Sequence, residues 1–559
     1  MGNMNNMLIV FSFILLLGTS AAFCPSKCTC DGDKYLRASC VDAGLEVVPI
    51  QLNPEVKSIN LAKNLITSVH YTLSFYMSLE KLDLSQNRIE SLGGKNFEYQ
   101  YDLGVLDLSR NLVGSLGKDA FRGLKKLRAL NLSDNFIEGI HSNAMADLVS
   151  LVELDLTNNR IISFEDSTFQ NLSALEVLLL ENNQILEVPT SNLLYCHQLR
   201  HLDLTRNFIE SVRNESFLGL RHLEHLELDD NVIKDVDVDA FTGLVALTWL
   251  DIADNNLTVM PTVQLSKLSN LTNLSLSGNS FSYLPAVALL NLFNLRELHL
   301  DRLERLTRID SRAFVDNTHL QLITLDANPA FCDLPPRLFH GNPNLVDISM
   351  RSNGLMTLDA IQFPLDRLRR LHLAENPLEC NCSLLWLWRL VHEEEATDVG
   401  AEAAATGETL TFDRDAITCD VLEDNVRTRR RLIDMSEGEI QCPARLVTIV
   451  CAILTVLLVT MAGVSVVLYV QFARRRKRMI EERKNVNERI VPQQIDKMEL
   501  ERYLQAQALT SEYRTLRPWE IPIKEADREE PDHYEKFDYF DHRRMPPPKA
   551  APAPHVVYV

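Results

Sequence analysis

The feature that most narrows what this chain can become is one string, L-x-x-L-x-L-x-x-N, which recurs with little drift along more than half of it. Its asparagines fall at Asn64, Asn87, Asn111, Asn135, Asn159, Asn183, Asn207, Asn231, Asn255 and Asn279, and again at Asn328, Asn353 and Asn376. One slot is skipped: in LRELHLDRLERL the leucine frame persists, but Leu303 replaces the asparagine. With that slot counted, every step is 23 to 25 residues and the units number fourteen. The unit LVELDLTNNRI, residues 151–161, shows the physics. Side chains on a strand alternate between its faces, so Leu154 and Leu156 enter a core and Asp155, between them, must leave it. Each asparagine is expected to hydrogen-bond the backbone of the neighbouring coil, partners that a buried turn otherwise lacks.

Such a period is the signature of a leucine-rich repeat horseshoe, an α/β solenoid with a parallel concave β-sheet. Half of the units carry a phenylalanine six residues before the first leucine, at Phe97, Phe121, Phe169, Phe217, Phe241, Phe314 and Phe339, and these should stack as a spine. At roughly 4.8 Å per strand, fourteen strands give a concave face on the order of 65 Å long. No coil buries its leucines alone, so both ends need caps.

Two cysteine clusters stand where caps are required. Cys24, Cys28, Cys30 and Cys40 precede the first unit, and Cys380 and Cys382 in NPLECNCSLLWLWRL, with Cys419 and Cys442, follow the last. Spacing alone leaves the pairing open, and a zinc cluster is the alternative to disulfides. The clusters resemble the amino- and carboxyl-terminal caps of extracellular leucine-rich repeat proteins. That resemblance implies the pairs Cys24–Cys30, Cys28–Cys40, Cys380–Cys419 and Cys382–Cys442. Of the other cysteines, Cys196 occupies a core slot and reads as a buried thiol. Cys332 lies about five coils away, well beyond the ~7 Å that a disulfide can span, so it is either unpaired or intermolecular.

LIVFSFILLL, followed by Ser20, Ala21 and Ala22, reads as a signal peptide over residues 1–22. Residues 23–55 form the first cap, 56–379 the fourteen repeats and 380–443 the second cap. Between Arg445 and Arg474 there is no charge for 28 residues, enough for a transmembrane helix at 446–472 that contains Cys451. The basic run Arg474 to Arg478 predicts an internal tail, 473–559, and an external amino terminus at the plasma membrane. The net charge of −20 is uneven: the tail carries 18 basic and 16 acidic residues, leaving −22 ahead of the span. An acidic exterior argues against nucleic acid or heparin as the partner. The run RTRRR, Arg427 to Arg431, reads as a solvated face of the cap, with convertase cleavage as the alternative.

The outward slots run Asn60, Asp83, Asp107, Asn131, Asp155, Leu179, Asp203, Glu227, Asp251, Ser275, His299, Thr324, Ser349 and His372. They are mostly acidic through nine coils, whereas Arg302, Arg351, Arg369 and Arg370 add the opposite sign later. Aspartate is common in this slot, so a merely solvated stripe is the plain alternative to a site. Val177 and Leu179 in coil six, Val152 beside them, and Trp249 in coil nine interrupt the acids with apolar surface, which commonly marks interaction sites. Sequons lie at Asn131, Asn171, Asn214, Asn256, Asn270, Asn273 and Asn381. Glycans at Asn131 and Asn273 would flank an open window over coils five to nine. The expected ligand site is therefore Val152, Asp155, Val177, Leu179, Asp203, Glu227, Trp249 and Asp251.

The tail reads as mostly disordered, with a charged helix conceivable over 479–509. Tyr513 with Leu516, and Tyr534 with Phe537, fit Tyr-x-x-hydrophobic sorting signals. Val557 and Val559, alternating up to the carboxylate, fit the peptide that a PDZ domain adds as a strand. No catalytic signature and no cofactor or metal motif is found. The order of signal, cap, repeats, cap, span and short tail is similar to cell-adhesion and guidance receptors of the Capricious and Tartan type. The resemblance implies recognition of an extracellular protein or an apposed receptor, in neuronal targeting or cell sorting. A receptor for microbial or soluble ligands, acting with a co-receptor, is the competing expectation.

Overall fold

The computed structural model describes residues 24–31, 36–393, 410–423, 426–440, 444–487 and 502. The chain divides into two compact units, Met1–Val447 and Thr448–Val559. The first is a solenoid built on a 17-stranded sheet. A short antiparallel pair, Thr29–Asp31 with Arg37–Ser39, opens it, and every later strand is added in parallel. Fourteen triplets follow, from Ser58–Asn60 in coil one to Arg370–His372 in coil fourteen, and Thr411–Phe412 of the second cap closes the sheet.

Within each triplet the middle side chain is buried, as the alternation of a strand demands, and its neighbours are more exposed, except that Asp203 and Ser349 in the third position are themselves buried. Glu153 is exposed, Leu154 fully buried and Asp155 half-buried. Leu154 registers with Leu130 on one side and Leu178 on the other, so the leucines form continuous columns through the core. The phenylalanines form the expected second column. Phe97 stacks on Phe121 at 6.3 Å, Phe217 on Phe241 at 6.3 Å and Phe314 on Phe339 at 6.4 Å. In five of the units that lack phenylalanine, Leu73, Met145, Leu193, Leu265 and Leu289 fill the position, all buried.

The asparagines join coil to coil. Asn159 Nδ2 donates to Leu132 O at 3.0 Å in the preceding coil and to Leu156 O at 2.9 Å in its own, while its Oδ1 accepts from Ile137 N at 3.0 Å. Asn135, Asn183 and Asn207 repeat the pattern. The residue ahead of each asparagine takes a left-handed conformation, as at Asn158 (φ 56°) and Asp254 (φ 51°). In coil ten that residue is Gly278, where an added Cβ would lie 2.0 Å from Asp254 Oδ1. Across this gap Arg302 of coil eleven reaches Asp254 of coil nine, Nη2 to Oδ2, at 2.7 Å. At the skipped slot Leu303 supplies no amide, and its own N–H donates to Asn328 Oδ1 at 2.7 Å.

Disulfides join Cys24 to Cys30, Cys28 to Cys40 and Cys380 to Cys419. Cys382 is also disulfide-bonded, and Cys442, the partner that the resemblance implies for it, lies outside the described residues. Cys196 is a buried thiol pushed up to about 12 by desolvation, which keeps it protonated and inert, whereas Cys332 is exposed and unpaired. In the second cap, helix Leu385–Glu393 packs against the turn Leu432–Asp434 and helix Glu437–Ile440, while Thr418–Glu423 and Val426–Arg431 pair as antiparallel strands. The basic run is thus a paired strand, with Arg429 on Asp420 at 3.1 Å and Arg431 on Asp434 at 2.8 Å. Helix Ala444–Asn487 continues unbroken past Arg474–Arg478, and its stretch Ile449–Glu482 is long and apolar enough to cross a bilayer. The signal peptide, Tyr513, Leu516, Tyr534, Phe537, Val557 and Val559 lie outside the described residues.

Replacing Asn159 by Ala leaves buried backbone groups of two coils without partners and should destabilise the solenoid by about 2–4 kcal/mol. The exposed Glu153→Ala should cost less than ~0.5 kcal/mol. Chemical denaturation of the two variants checks the contrast.

Candidate concave interaction site

Two rows of side chains rise from the concave sheet, one from the first and one from the third position of each triplet. Over coils six to ten the first row reads Val177, His201, His225, Trp249 and Asn273, and the third Leu179, Asp203, Glu227, Asp251 and Ser275, all in register. The first row contains a run of rings. His201 and His225 lie 5.7 Å apart and tilted, while His225 and Trp249 are stacked at 6.2 Å. Trp249 is 37% exposed and His225 is exposed.

The recurring acid has a local role that the period alone does not reveal. Asp83, Asp107, Asp155, Asp203 and Asp251 each use Oδ1 to accept the N–H two residues on, at 2.8–2.9 Å. Asn60 and Asn131 do the same with their amide oxygens. A short side chain with an oxygen at Cγ closes this turn at the strand end, which explains the preference for Asp or Asn. In coils eleven to thirteen the duty moves. Ser277 Oγ accepts Asp301 N at 3.0 Å, Asp301 Oδ1 accepts Asp326 N at 2.7 Å and Asp326 Oδ1 accepts Arg351 N at 2.6 Å, which releases the third-row slots to His299, Thr324 and Ser349.

Coils seven to nine concentrate titratable groups. His201 Nε2 meets Glu227 Oε1 at 3.2 Å, and the contact raises the histidine and lowers the carboxyl from their ordinary values. Their pairing therefore contributes stability between the glutamate's lowered pKa and the histidine's raised one, and is lost outside that range. Burial pushes the Asp203 and Asp251 carboxyls up. It takes Asp229, at the strand exit, to about 6, even though Thr205 Oγ1 donates to Asp229 Oδ1 at 2.8 Å.

Several sequence expectations need adjustment. Asp203, expected in the open, keeps only 9% exposure because it stands in register between Leu179 and Glu227. Val152 precedes its strand, Glu153–Asp155, and belongs to the edge row of Arg128, Glu176 and Arg200, so it does not join Val177 and Leu179. The opposing positive end is largely neutralised: Arg302 pairs with Asp254, Arg351 with Asp413 at 3.4 Å, and Arg370 with Asp347 at 2.8 Å. Asn171, Asn214, Asn256 and Asn270 are exposed. Asn131 and Asn273 are half-buried on the concave strands, and Asn273 Nδ2 donates to Glu297 Oε2 at 2.6 Å. Asn381 caps a short 3-10 turn, Cys382–Leu384, through Ser383 N. His201, His225 and Asp229 are the members of the cluster absent from the expected site. A first-position reading of H-L-D, H-L-E and W-L-D in consecutive units would have exposed two of them.

The leucine rich repeat family matches residues 77–136, 102–161, 150–207, 197–257 and 246–304. The chain carries leucine-rich repeats of this family. Among proteins similar to it are oligodendrocyte-myelin glycoprotein of Mus musculus, 37% identical over 82 residues (14% of this chain and 18% of that one), and leucine-rich repeat-containing protein 3B of Bos taurus, 33% identical over 94 residues (16% and 36%). The leucine-rich repeat chain thus spans under a fifth of the myelin glycoprotein. Among solved structures, the Drosophila Toll–Spatzle complex aligns at a TM-score of 0.55 and 20% identity, covering 72% of this chain and 63% of that one. That likeness is one of fold.

Because burial raises the Asp229 carboxyl, its ionised form opposes folding fully above pH of about 6, and the penalty fades as pH falls toward 3.8. Asp229→Asn keeps an oxygen for Thr205 and should raise the Tm at neutral pH on the order of 2 °C. Thermal melts across pH should show that gain shrinking through about pH 6.

Proposed function

We propose that this chain is a cell-surface recognition or adhesion receptor, binding a protein partner through the concave face of its repeats over coils five to nine. The observation that carries the reading is the stacked, exposed His225–Trp249 pair beside carboxylates on an otherwise unpartnered sheet. An apolar anchor in a polar surround is the usual energetic centre of a protein interface. The apolar helix after the second cap supports attachment by a single span, and the basic run beyond it supports an external solenoid. Glycans at Asn131 and Asn273 would bound the window and leave it open. Adhesion or guidance in the manner of Capricious and Tartan, in neuronal targeting or cell sorting, is the role that suits this organisation. A PDZ partner at Val557 and Val559, and sorting through Tyr513 and Tyr534, would be its internal contacts.

A glycan wedge tests the window. Asp155→Asn creates a sequon with Thr157, and the new amide can keep the Thr157 N–H bond that Asp155 makes. Asp203→Asn creates another with Thr205, but burial of that position makes Asp155 the cleaner probe. Cells bearing the full chain should cluster with each other or with a partner line found in a pairwise ectodomain screen. The occupied Asp155→Asn glycan, verified by gel mobility, should abolish clustering, and undiminished clustering would refute the window. Capture of a soluble protein without clustering would replace adhesion by the sensing of secreted ligands.

A further inference from the structure

The concave carboxylates of coils seven to nine contrast with the acids along the edges of the same coils, which are ion-paired to arginine or lysine. Along the edges of the same coils acids are matched: Arg200 lies between Glu176 and Glu224, Arg206 between Glu181 and Asp230, and Lys267 meets Asp239. On the concave side Asp203, Glu227, Asp229 and Asp251 meet no lysine or arginine among the described residues; His201 is hydrogen-bonded to Glu227, and His225 and His299 act on Glu227 and Asp251 through charge alone. Nor do donors converge on a metal-sized position among the described residues.

The row of rings beside these acids supplies the second half of a recognition surface. His225 and Glu227, and Trp249 and Asp251, are separated by two residues along a strand, or roughly 6.6 Å. A flat cation lying over the ring faces would present its edge to the carboxylate row. Arginine suits this better than lysine, because its planar guanidinium stacks on aromatic faces and forks onto carboxylates, whereas an ammonium is a compact and strongly hydrated point. Desolvation of Asp203, Asp229 and Asp251 works in the same direction. Carboxylates held partly out of water without a counter-ion gain more from an arriving cation than fully hydrated ones do.

Building on the concave reading above, we propose that coils seven to nine form a receiving surface for arginine side chains of the partner, with guanidinium planes over His225 and Trp249 and their N–H groups on Glu227 and Asp251. The partner is therefore a protein that presents a basic segment, and the acidic stripe steers it to the site.

The probe is an acetylated and amidated tri-arginine peptide, titrated calorimetrically against the full chain in nanodiscs, with tri-citrulline and tri-lysine as comparators. Tri-arginine should bind, tri-lysine about threefold more weakly, and tri-citrulline not measurably. Glu227→Gln with Asp251→Asn should weaken tri-arginine about tenfold, and Trp249→Ala about threefold. The edge variants Glu224→Gln with Asp230→Asn should change it by less than about twofold. Should the concave pair unfold the protein, Glu227→Gln alone decides, since the amide is isosteric and can still contact His201. Equal binding of tri-citrulline, equal loss in the edge variants, or no tri-arginine binding overturns the inference. The window and the arginine site fail separately. If the Asp155→Asn glycan blocks clustering while Glu227→Gln with Asp251→Asn leaves both clustering and tri-arginine affinity unchanged, the window stands and the arginine site falls.

Discussion

The asparagine at the end of each leucine triplet is the interaction on which the rest of the solenoid depends. A coil of two dozen residues turns several times through a dry interior, and each turn leaves backbone groups that water cannot reach. One carboxamide answers for its own coil and the one before it: Asn159 donates to the carbonyls of Leu132 and Leu156 and accepts from Ile137 N. Since its reach is fixed, it also fixes how closely coils stack and in what register. The leucine columns and the phenylalanine spine can interlock only because that register holds.

The concave surface is a by-product of the same constraint. Parallel strands in strict register place like positions side by side, so any residue type repeated in the sequence becomes a row in space. Aspartate in the third position serves the turn first, through the N–H two residues on. Its second oxygen, and the oxygen of Glu227 that His201 does not hold, remain to face whatever approaches. A row selected for turn geometry thereby becomes an electrostatic field. In coils seven to nine the ring-bearing first positions add a stacking surface beside it.

Much of this was legible in the sequence because a period constrains every unit at once. The fourteen coils, the buried phenylalanine column and the asparagine bonds to adjacent coils all follow from spacing and alternation. What escaped was set by neighbours in space. The burial of Asp203 depends on Leu179 and Glu227, one coil away on either side. The pairing of Arg302 with Asp254 spans 48 residues. His201 and His225 are ordinary strand residues in a linear reading and gain meaning only when Trp249 is stacked beside them. The acid's turn-closing bond was hidden for a different reason: alternation says which way a side chain points, but not which backbone N–H lies within its reach.

The missing side chain at Gly278 lets the guanidinium of Arg302 step over coil ten to Asp254. Being solvent-exposed, that bridge is worth little energetically. Its placement nevertheless matters, because it lies next to the slot where Leu303 interrupts the asparagine series. A fraying front travelling along the solenoid from either end meets there a stitch of double length, and cannot peel coil eleven away without also letting go of coil nine.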